Sequence, residues 1–279
     1  MKKQKVWFVT GASKGFGLSL VKQLLQQGHQ VAATSRNVNA LYTAIGRNDA
    51  DFLPLRVDLT NEEEVGQAIE QTVGHFGSID VVVNNAGYGL TGSLEELSDQ
   101  EARQNFEVNV FGTLHVIRKV MPYLRQRQSG HIFNISSIGG FFGSFPGWGI
   151  YCATKFAVEG LSESLAEEVK AFGVKVTIVA PGYFRTDFLS SGSLTLPQHP
   201  IEAYKEVRES QDMHQNSLNG NQSGDPEKAV AAIIRIASEQ NPPLHLFLGE
   251  DAYQMAYDKM KAVESDLESW REVTLSTAL

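Results

Sequence analysis

Short apolar runs alternate with longer mixed stretches along most of this 279-residue chain. The apolar runs are rich in β-branched residues and predict strands at residues 5–10, 30–35, 51–57, 79–84, 131–136, 174–180 and 244–248. Helical spacing of apolar positions predicts helices at residues 15–27, 39–45, 98–125 and 150–172, and another that begins at residue 60. Such alternation is typical of a parallel sheet covered by helices on both faces, so we expect an α/β fold with about seven strands.

Three of the predicted helices begin at recognisable capping residues. Thr60 and Ser98 are each followed three residues later by a glutamate, Glu63 and Glu101, which is the pattern of a capping box. Asp225 precedes a proline, and a capping residue before proline predicts a further helix ahead of the last strand.

Two regions depart from the alternation. Residues 184–224 are polar, glycine-containing and irregular, and residues 250–272 have the pattern of a C-terminal helix. No repeat, low-complexity tract or linker divides the sequence. We therefore expect one domain over residues 1–279, with an irregular loop region at about 184–224 and a C-terminal helical extension at about 250–279.

Composition narrows the class of protein. The formal net charge is −8 without a lysine and arginine cluster, which argues against nucleic acid and an anionic membrane surface as partners. The apolar stretch after the N-terminal lysines is too short for a signal peptide, and no run approaches the roughly 18 apolar residues of a membrane span. The single cysteine, Cys152, excludes an internal disulfide, and the seven scattered histidines show no metal-binding spacing. We expect a cytoplasmic protein that binds no metal.

A glycine-rich loop joins the first predicted strand to the first predicted helix, with glycines at Gly11, Gly15 and Gly17. Glycine has no Cβ, so a pyrophosphate can approach the backbone N–H groups at the positive end of the helix. The spacing is G-x3-G-x-G, in place of the commoner G-x-G-x-x-G. A plain glycine-rich turn is the alternative, and the position between strand and helix favours a dinucleotide site.

The second predicted strand is followed by Arg36, where folds specific for NAD usually carry an acidic residue that holds the ribose 2′-hydroxyl. Lys14 lies in the glycine loop, and both cations suit a 2′-phosphate. These residues favour NADP(H) as the cofactor. The alternative is that both are solvated surface charges.

Tyr151 and Lys155 are four residues apart at the start of a predicted helix and therefore share one face. A tyrosine has an ordinary pKa of about 10, and a nearby ammonium together with the positive ring of an oxidised nicotinamide lowers it toward the working pH of a general acid–base. Ser136 and Ser137 end the fifth predicted strand, where a hydroxyl reaches the ligand crevice of a parallel sheet. The alternatives are that Tyr151 and Lys155 are an ordinary exposed pair, and that the strand-end serine only satisfies backbone groups.

Together these residues resemble the short-chain dehydrogenase/reductase family, closely over about residues 5–190. The motifs occur in the family's order: the Thr10–Gly17 loop, Asp58 after the third strand, Asn84-Asn85-Ala86-Gly87 after the fourth, Asn109 in the long helix, Ser137, Tyr151 with Lys155, and Pro181-Gly182 with Thr186. One departure is Phe16, where the family usually has Ile or Leu. The resemblance implies a Rossmann-type, doubly wound fold and an oxidoreductase that interconverts a carbonyl and an alcohol.

The resemblance also implies a role for each matching position. Asp58 contacts the adenine amino group, Lys155 holds the nicotinamide ribose, and Asn109 anchors a water in a proton relay. Ser137 orients the carbonyl and Tyr151 exchanges the proton, so the implied catalytic residues are Tyr151, Lys155, Ser137 and Asn109. The implied cofactor contacts come from Gly11, Ser13, Lys14, Gly15, Phe16, Gly17, Arg36, Asp58, Leu59, Asn85, Ala86, Gly87, Tyr151, Lys155, Pro181, Gly182 and Thr186.

Aromatic residues and one methionine surround the predicted site in sequence. They precede Tyr151 or follow the sixth strand, and they predict an apolar or aromatic ketone or alcohol as the substrate: Phe141, Phe142, Phe145, Trp148, Phe184, Phe188, Tyr204 and Met213. Packing in the core or at a subunit contact is the alternative. The family resemblance further implies a homodimer or homotetramer built on the helices beginning near Ser98 and Ile150. A binding protein that senses NADP(H) without turnover is the second functional hypothesis.

Overall fold

A computed structural model describes residues 4–47, 49–190 and 192–279 of the chain. Seven parallel strands form one sheet in the order β3-β2-β1-β4-β6-β7-β9, and β5 pairs with β8 in a separate two-stranded sheet. The strands are β1 (Val6–Val9), β2 (Gln30–Ser35), β3 (Phe52–Arg56), β4 (Val81–Asn84), β5 (Gly89–Leu90), β6 (Gly130–Ile135), β7 (Val174–Pro181), β8 (Leu194–Thr195) and β9 (His245–Leu248). The predicted seven-stranded α/β fold is confirmed.

Helices cover both faces of the large sheet. Side chains alternate along each strand, so Trp7 and Val9 of β1 enter one core layer and Phe8 enters the other. The first layer packs under α1 and α8, and the second under α3, α5 and α6. The helices are α1 (Gly15–Gln26), α2 (Val38–Ile45), α3 (Glu62–Phe76), α4 (Asp99–Phe106), α5 (Gly112–Arg127), α6 (Gly149–Val169), α7 (Lys205–Asp212), α8 (Pro226–Ile236), α9 (Glu250–Ser269) and α10 (Arg271–Leu275).

The strand order reverses between β1 and β4. The strands β2 and β3 lie on one side of β1, whereas β6, β7 and β9 lie on the far side of β4. In an open parallel sheet, ligands bind outside the carboxyl ends of the strands at such a reversal. The crevice is therefore expected where β1 runs into the glycine loop and β4 runs into Asn85.

Several predicted element boundaries are corrected by the structure. The long helix from Ser98 is divided into α4, a π-helical segment (Glu107–Phe111) and α5, and its capping box at Ser98 and Glu101 is confirmed. The irregular region at 184–224 contains the helix α7 and a second π-helical segment, Met213–Leu218, so that prediction is wrong in part. No helix in the described ranges is both long enough and apolar enough to span a bilayer.

The capping box predicted at Thr60 and Glu63 does not form. The N-cap of α3 is Asn61, whose side-chain oxygen accepts hydrogen bonds from the N–H groups of Glu63 and Glu64 at 3.0 and 3.2 Å. The Thr60 hydroxyl instead donates to the Asp58 carboxylate at 2.8 Å. The Thr60 hydroxyl, which the capping-box pattern assigned to the N-cap of α3, is therefore bound by the Asp58 carboxylate.

Replacing Asn61 tests this assignment. We expect Asn61→Ala to lower the free energy of unfolding by about 1 kcal/mol, because two N–H groups of the first turn lose their acceptor. Glu63→Gln is the matched control and should stay within about 0.5 kcal/mol of wild type. Urea unfolding followed by circular dichroism measures both, and a larger loss in Glu63→Gln than in Asn61→Ala would contradict the assignment.

Candidate active site

The glycine loop is tied to the end of β4 by hydrogen bonds. The Thr10 hydroxyl accepts from the N–H groups of Asn85 and Ala86 at 3.0 and 3.1 Å. The Asn85 side-chain amide donates to the carbonyl oxygens of Thr10 and Gly11 at 3.0 Å each. These bonds join the two strand ends that flank the sheet reversal, so the loop and the Asn85–Gly87 segment form one wall of the crevice.

Close approach within the loop requires glycine at particular positions. A Cβ at Gly17 would lie 2.5 Å from the Gly11 carbonyl oxygen, and Gly11 and Gly15 have φ angles of +64° and +55°. Ser13 is half-buried in the turn, and Phe16 packs edge-on against Phe184 with ring centroids 5.2 Å apart. The loop thus ends at the N-terminus of α1, which has no side-chain cap hydrogen bond from its N-cap residue Lys14, and this suits a pyrophosphate.

Two exposed cations converge beside the ends of β1 and β2. Burial lowers the pKa of Lys14, the Asp187 carboxylate opposes this, and the positive charge of Arg36 lowers it further. The Lys14 ammonium donates to the Gly192 carbonyl, while Arg36 forms no ion pair with any residue in the described ranges. Because Lys14 and Arg36 repel each other, an anion that binds beside both of them is stabilised.

Asp58 and Leu59 lie at the end of the crevice near Arg36. Hydrogen bonds from the Thr60 N–H at 3.0 Å and the Thr60 hydroxyl at 2.8 Å lower the pKa of Asp58, although partial burial opposes them, and Arg36 lowers it further. The Leu59 carbonyl accepts from Nδ1 of His115 at 2.8 Å. The carboxylate is therefore ionised and held in a fixed orientation.

Tyr151 lies in the first turn of α6 and is only 7% exposed. Its ring contacts Trp148 and Phe188, with centroids 5.5 and 5.7 Å away. Burial raises the pKa of the Tyr151 phenol above its ordinary value, while a hydrogen bond with the Ser137 hydroxyl acts in the opposite direction. The chain's own groups thus keep this phenol neutral, and the lowering expected from the sequence also requires the positive ring of an oxidised nicotinamide.

Lys155 lies one turn further along α6 and is also buried. Its ammonium donates to the Ile135 carbonyl oxygen at 2.8 Å and lies 5.8 Å from the centroid of the Tyr151 ring. Burial lowers the pKa of Lys155 to about 8, although the Glu159 carboxylate opposes the shift. The lysine is consequently a buried cation that changes charge just above neutral pH.

Asn109 lies in the π-helical segment between α4 and α5. Its side-chain oxygen accepts from the Tyr88 N–H at 3.0 Å, and its amide donates to the Tyr88 carbonyl at 3.0 Å and to the Thr154 hydroxyl at 3.1 Å. A Cβ at Gly87 would lie 3.1 Å from the Asn109 oxygen and 3.5 Å from the Lys155 ammonium. Single-turn π-bulges are frequent at functional sites, and this one directs Asn109 to the lysine.

The two serines after β6 lie in different surroundings. Ser137 is half-buried beside Tyr151, and its hydroxyl accepts from the Gly139 N–H at 3.1 Å. Ser136 is buried, and a Cβ at Gly140 would clash with its hydroxyl. Of these two serines, Ser137 is the one that lies beside the tyrosine.

The end of β7 brings the last predicted residues into the crevice. Pro181 pairs with Leu248 in the sheet, and the Gly182 N–H donates to the Leu248 carbonyl at 2.9 Å. Thr186 lies opposite the glycine loop, since a Cβ at Gly15 would be 3.9 Å from the Thr186 Cβ. The structure therefore brings the predicted residues from β1, β2, β3, β4, β6, α6 and β7 to one edge of the sheet.

The eight residues predicted around the substrate do not all pack against Tyr151. Trp148, Phe145 and Phe188 pack with Tyr151 in one apolar cluster. Phe141 and Phe142 instead pack with Ile138 beneath the C-terminal helix α9, as the packing alternative proposed. The remaining three are away from the tyrosine: Phe184 packs on the glycine loop, Tyr204 bonds the Glu95 carboxylate, and Met213 is exposed.

Sequence reasoning missed a tyrosine–histidine pair beside this cluster. Nδ1 of His214 lies 2.6 Å from the Ser210 carbonyl oxygen, which only accepts, so Nδ1 carries the proton. Nε2 is then the acceptor for the Tyr183 hydroxyl at 2.9 Å. The His214 ring contacts Trp148 at 4.8 Å, which links the pair to Tyr151. The two residues are 31 positions apart, and neither belongs to a local motif.

Arg185 is a second residue that sequence reasoning missed. Its guanidinium donates to the Gln222 carbonyl at 3.3 and 3.2 Å. It also borders a cavity of about 270 Å³ at the N-terminus of α1, whose other lining residues are Gly15, Leu18, Ser19, Thr186, Asp187, Asn219, Gly220 and Pro226. In the sequence, Arg185 could have been identified as the cation of the P-G-x-x-R-T pattern at residues 181–186.

Cys152 is buried, and burial raises its pKa to about 11, so its thiol is not nucleophilic.

Comparison with known proteins agrees with this geometry. Residues 5–195 match the model of the short chain dehydrogenase family, and the chain belongs to that family. A 3-ketodihydrosphingosine reductase from Bacteroides thetaiotaomicron is 38% identical over 260 residues, which are 92% of each chain. A short-chain dehydrogenase structure from Streptomyces avermitilis is 37% identical, with a TM-score of 0.91 over 99% of this chain and 100% of that one. ElxO, solved with NADP bound, is 27% identical, with a TM-score of 0.72 over 88% of this chain and 96% of that one. The protein is an oxidoreductase of this family with a Rossmann-type fold.

Substitution of Gly17 tests the close packing of the glycine loop. We expect Gly17→Ala to displace Gly11 and Asn85, because the added methyl group overlaps both, and to weaken NADPH binding at least about tenfold. Gly74→Ala is the matched control, since a Cβ there meets nothing within 4 Å. Fluorescence titration with NADPH compares the variants, and wild-type affinity in Gly17→Ala would contradict the packing.

Proposed function

We propose that this protein is an NADP(H)-dependent reductase that converts a ketone or aldehyde with an apolar body into an alcohol. The observation that carries the proposal is the buried Tyr151 phenol, which is hydrogen-bonded to the Ser137 hydroxyl and whose ring centroid lies 5.8 Å from the Lys155 ammonium. A neutral phenol is ready to donate a proton, and a cation beside it stabilises the phenolate that remains. This arrangement favours reduction as the working direction.

Each catalytic group then has a separate task. The nicotinamide ring, when bound, supplies the hydride for reduction. Tyr151 donates its phenolic proton to the carbonyl oxygen as that oxygen gains negative charge, and Ser137 orients the same oxygen by a hydrogen bond. Lys155 holds the ribose and stabilises the Tyr151 phenolate. Asn109 fixes the segment beside Lys155, and its oxygen keeps a second lone pair for a relay water.

Three features support NADP(H) as the cofactor. The glycine loop at the N-terminus of α1 offers backbone N–H groups to a pyrophosphate. Lys14 and Arg36 converge where the ribose 2′-position is expected, and no carboxylate replaces them at the end of β2. ElxO, a 27% identical relative, carries NADP in its structure.

The surroundings of Tyr151 support an apolar substrate that also carries a hydrogen-bond donor. Apolar side chains cover the tyrosine: Phe145, Trp148, Phe188, Leu189, Leu194 and Leu218. The Tyr183 hydroxyl donates its hydrogen bond to Nε2 of His214, so only the oxygen lone pairs of Tyr183 remain to accept from a substrate hydroxyl or amine. A ketone reductase among the relatives, named for 3-ketodihydrosphingosine, agrees with such a substrate.

Removal of one oxygen atom tests the proposed chemistry. We expect Tyr151→Phe to lower kcat by about 10² to 10⁴-fold, because the proton donor is lost, and to leave NADPH affinity nearly unchanged. NADPH absorbance with a panel of aromatic ketones, among them 2-hydroxyacetophenone, measures turnover. Tight NADPH binding without oxidation by any ketone in the wild type would favour an NADP(H)-sensing protein and overturn the proposal.

Reversal of one charge tests the cofactor assignment. We expect Arg36→Asp to weaken NADPH binding about 10 to 100-fold, because a charge-assisted hydrogen bond to the 2′-phosphate contributes about 1.5–3 kcal/mol. Binding of NADH, which lacks that phosphate, should change much less. Arg56→Asp, an exposed arginine on the neighbouring strand, is the control. Equal losses for both cofactors in Arg36→Asp would contradict the assignment.

A further inference from the structure

The first turn of the C-terminal helix α9 packs against the segment that follows β7. Gly249, with a φ angle of +100°, turns the chain from β9 into α9 beside the end of β7. The Asp251 carboxylate then accepts a hydrogen bond from the Tyr183 N–H at 2.6 Å. The next residue, Ala252, is fully buried and packs with Ile138, so this turn of the helix is fixed. A residue of the C-terminal extension thus holds the backbone of a segment at the crevice.

The Asp251 carboxylate occupies space that two glycines leave open. The three atoms nearest to a Cβ at Gly182 all belong to the carboxyl group of Asp251, and that Cβ would overlap them. A Cβ at Gly249 would overlap one oxygen of the same group. Because glycine has no Cβ, the carboxylate can lie against the chain and reach the Tyr183 N–H.

Other hydrogen bonds complete the hold on this segment. The Gly182 N–H donates to the Leu248 carbonyl at 2.9 Å, and the Tyr183 carbonyl accepts from the Gly224 N–H at 3.0 Å. Asp251 supplies the acceptor for the remaining backbone donor, the Tyr183 N–H. Without the carboxylate that N–H would lose its acceptor, and the peptide between Gly182 and Tyr183 could rotate, since glycine restricts the backbone little.

Gly182 lies on the side of the crevice where the nicotinamide is expected. It follows β7, which pairs with the strand before Ser137, whereas Arg36 and Asp58 follow strands on the other side of β1. Hydride transfer requires the nicotinamide ring to lie beside the carbonyl that Tyr151 protonates. The segment that Asp251 holds is therefore at the nicotinamide end of the proposed cofactor site.

We propose that Asp251 is a positioning residue for the nicotinamide end of the cofactor and acts through the backbone of Gly182 and Tyr183. This role rests on the proposed function, in which Gly182 contacts the cofactor. The family model matches residues 5–195, so Asp251 lies outside the matched region. The C-terminal extension thereby contributes to the cofactor site without touching the reacting atoms.

Binding of two ligands to the full-length protein tests this role. NADPH carries the nicotinamide, whereas adenosine 2′,5′-bisphosphate carries only the adenosine end and its 2′-phosphate. We expect Asp251→Ala to weaken NADPH binding about tenfold, because the segment is correctly placed for only a fraction of the time, and to leave the Kd of the bisphosphate within about twofold of wild type. Isothermal titration calorimetry measures both. Unchanged NADPH affinity, or equal losses for both ligands, would overturn the proposal.

Two further variants separate the hydrogen bond from a general loss of structure. The amide oxygen of Asp251→Asn can still accept from the Tyr183 N–H, so this variant should bind NADPH within about threefold of wild type. Glu250→Ala removes an exposed carboxylate from the same helical turn and is the matched control, with wild-type affinity for both ligands. A loss in Asp251→Asn as large as that in Asp251→Ala would overturn the proposal.

A double-mutant cycle tests the contact between Asp251 and Gly182. Gly182→Ala alone should weaken NADPH binding about as much as Asp251→Ala, because its methyl group displaces the carboxylate. The double variant should stay within about twofold of either single variant, since the contact is already lost in each. Losses that multiply in the double variant would show independent effects and would overturn the proposal.

These binding measurements need no turnover. A wild type that binds NADPH but oxidises it with no ketone would overturn the proposed reductase activity alone. The relative affinities of Asp251→Ala for the two ligands decide the role of Asp251 in either case.

Discussion

The structure depends on keeping one ammonium group buried beside one phenol. Lys155 is held by the Ile135 carbonyl at the end of β6, and Tyr151 lies one helical turn before it. Burial alone disfavours the charged lysine, as its lowered pKa shows. The parallel sheet compensates by directing a strand-end carbonyl at the ammonium and by placing Asn109 and Gly87 around it. The chemistry of the site follows from this placement.

The rest of the fold positions the groups that face this pair. The sheet reversal between β1 and β4 opens the crevice, and the bonds from Asn85 to the glycine loop hold its wall. The π-helical segment between α4 and α5 turns Asn109 toward the lysine, whereas a regular helix would displace its side chain. The region after β7 then closes over Tyr151 with Phe188 and neighbouring apolar residues. The proposed catalytic groups, which come from distant parts of the sequence, thus meet on rigid elements.

Features with a local cause could be predicted from the sequence. The strands followed from their apolar runs, and the Ser98 cap followed from a pattern confined to four residues. The sequence also predicted residues that meet in the crevice, because the glycine loop, Asn85 and Ser137 each follow a strand end and because Tyr151 and Lys155 share one helix face. Predictions were wrong where a distant or competing partner determines which hydrogen bond forms. Asp58 binds the Thr60 hydroxyl, for example, and Asn61 is therefore the N-cap of α3. The Tyr183–His214 pair was missed for the same reason, since only the folded chain brings these residues together.

The charge of Lys155 provides the most direct test of the account. Because the lysine has a pKa of about 8, its ammonium is present below that pH and is lost above it. In the proposed reaction, reduction leaves a phenolate on Tyr151, and the ammonium stabilises that phenolate. We therefore expect kcat for ketone reduction, measured at saturating NADPH, to be constant below pH 8 and to fall above it. A rate that stays constant from pH 7 to pH 10 in the wild type would contradict it.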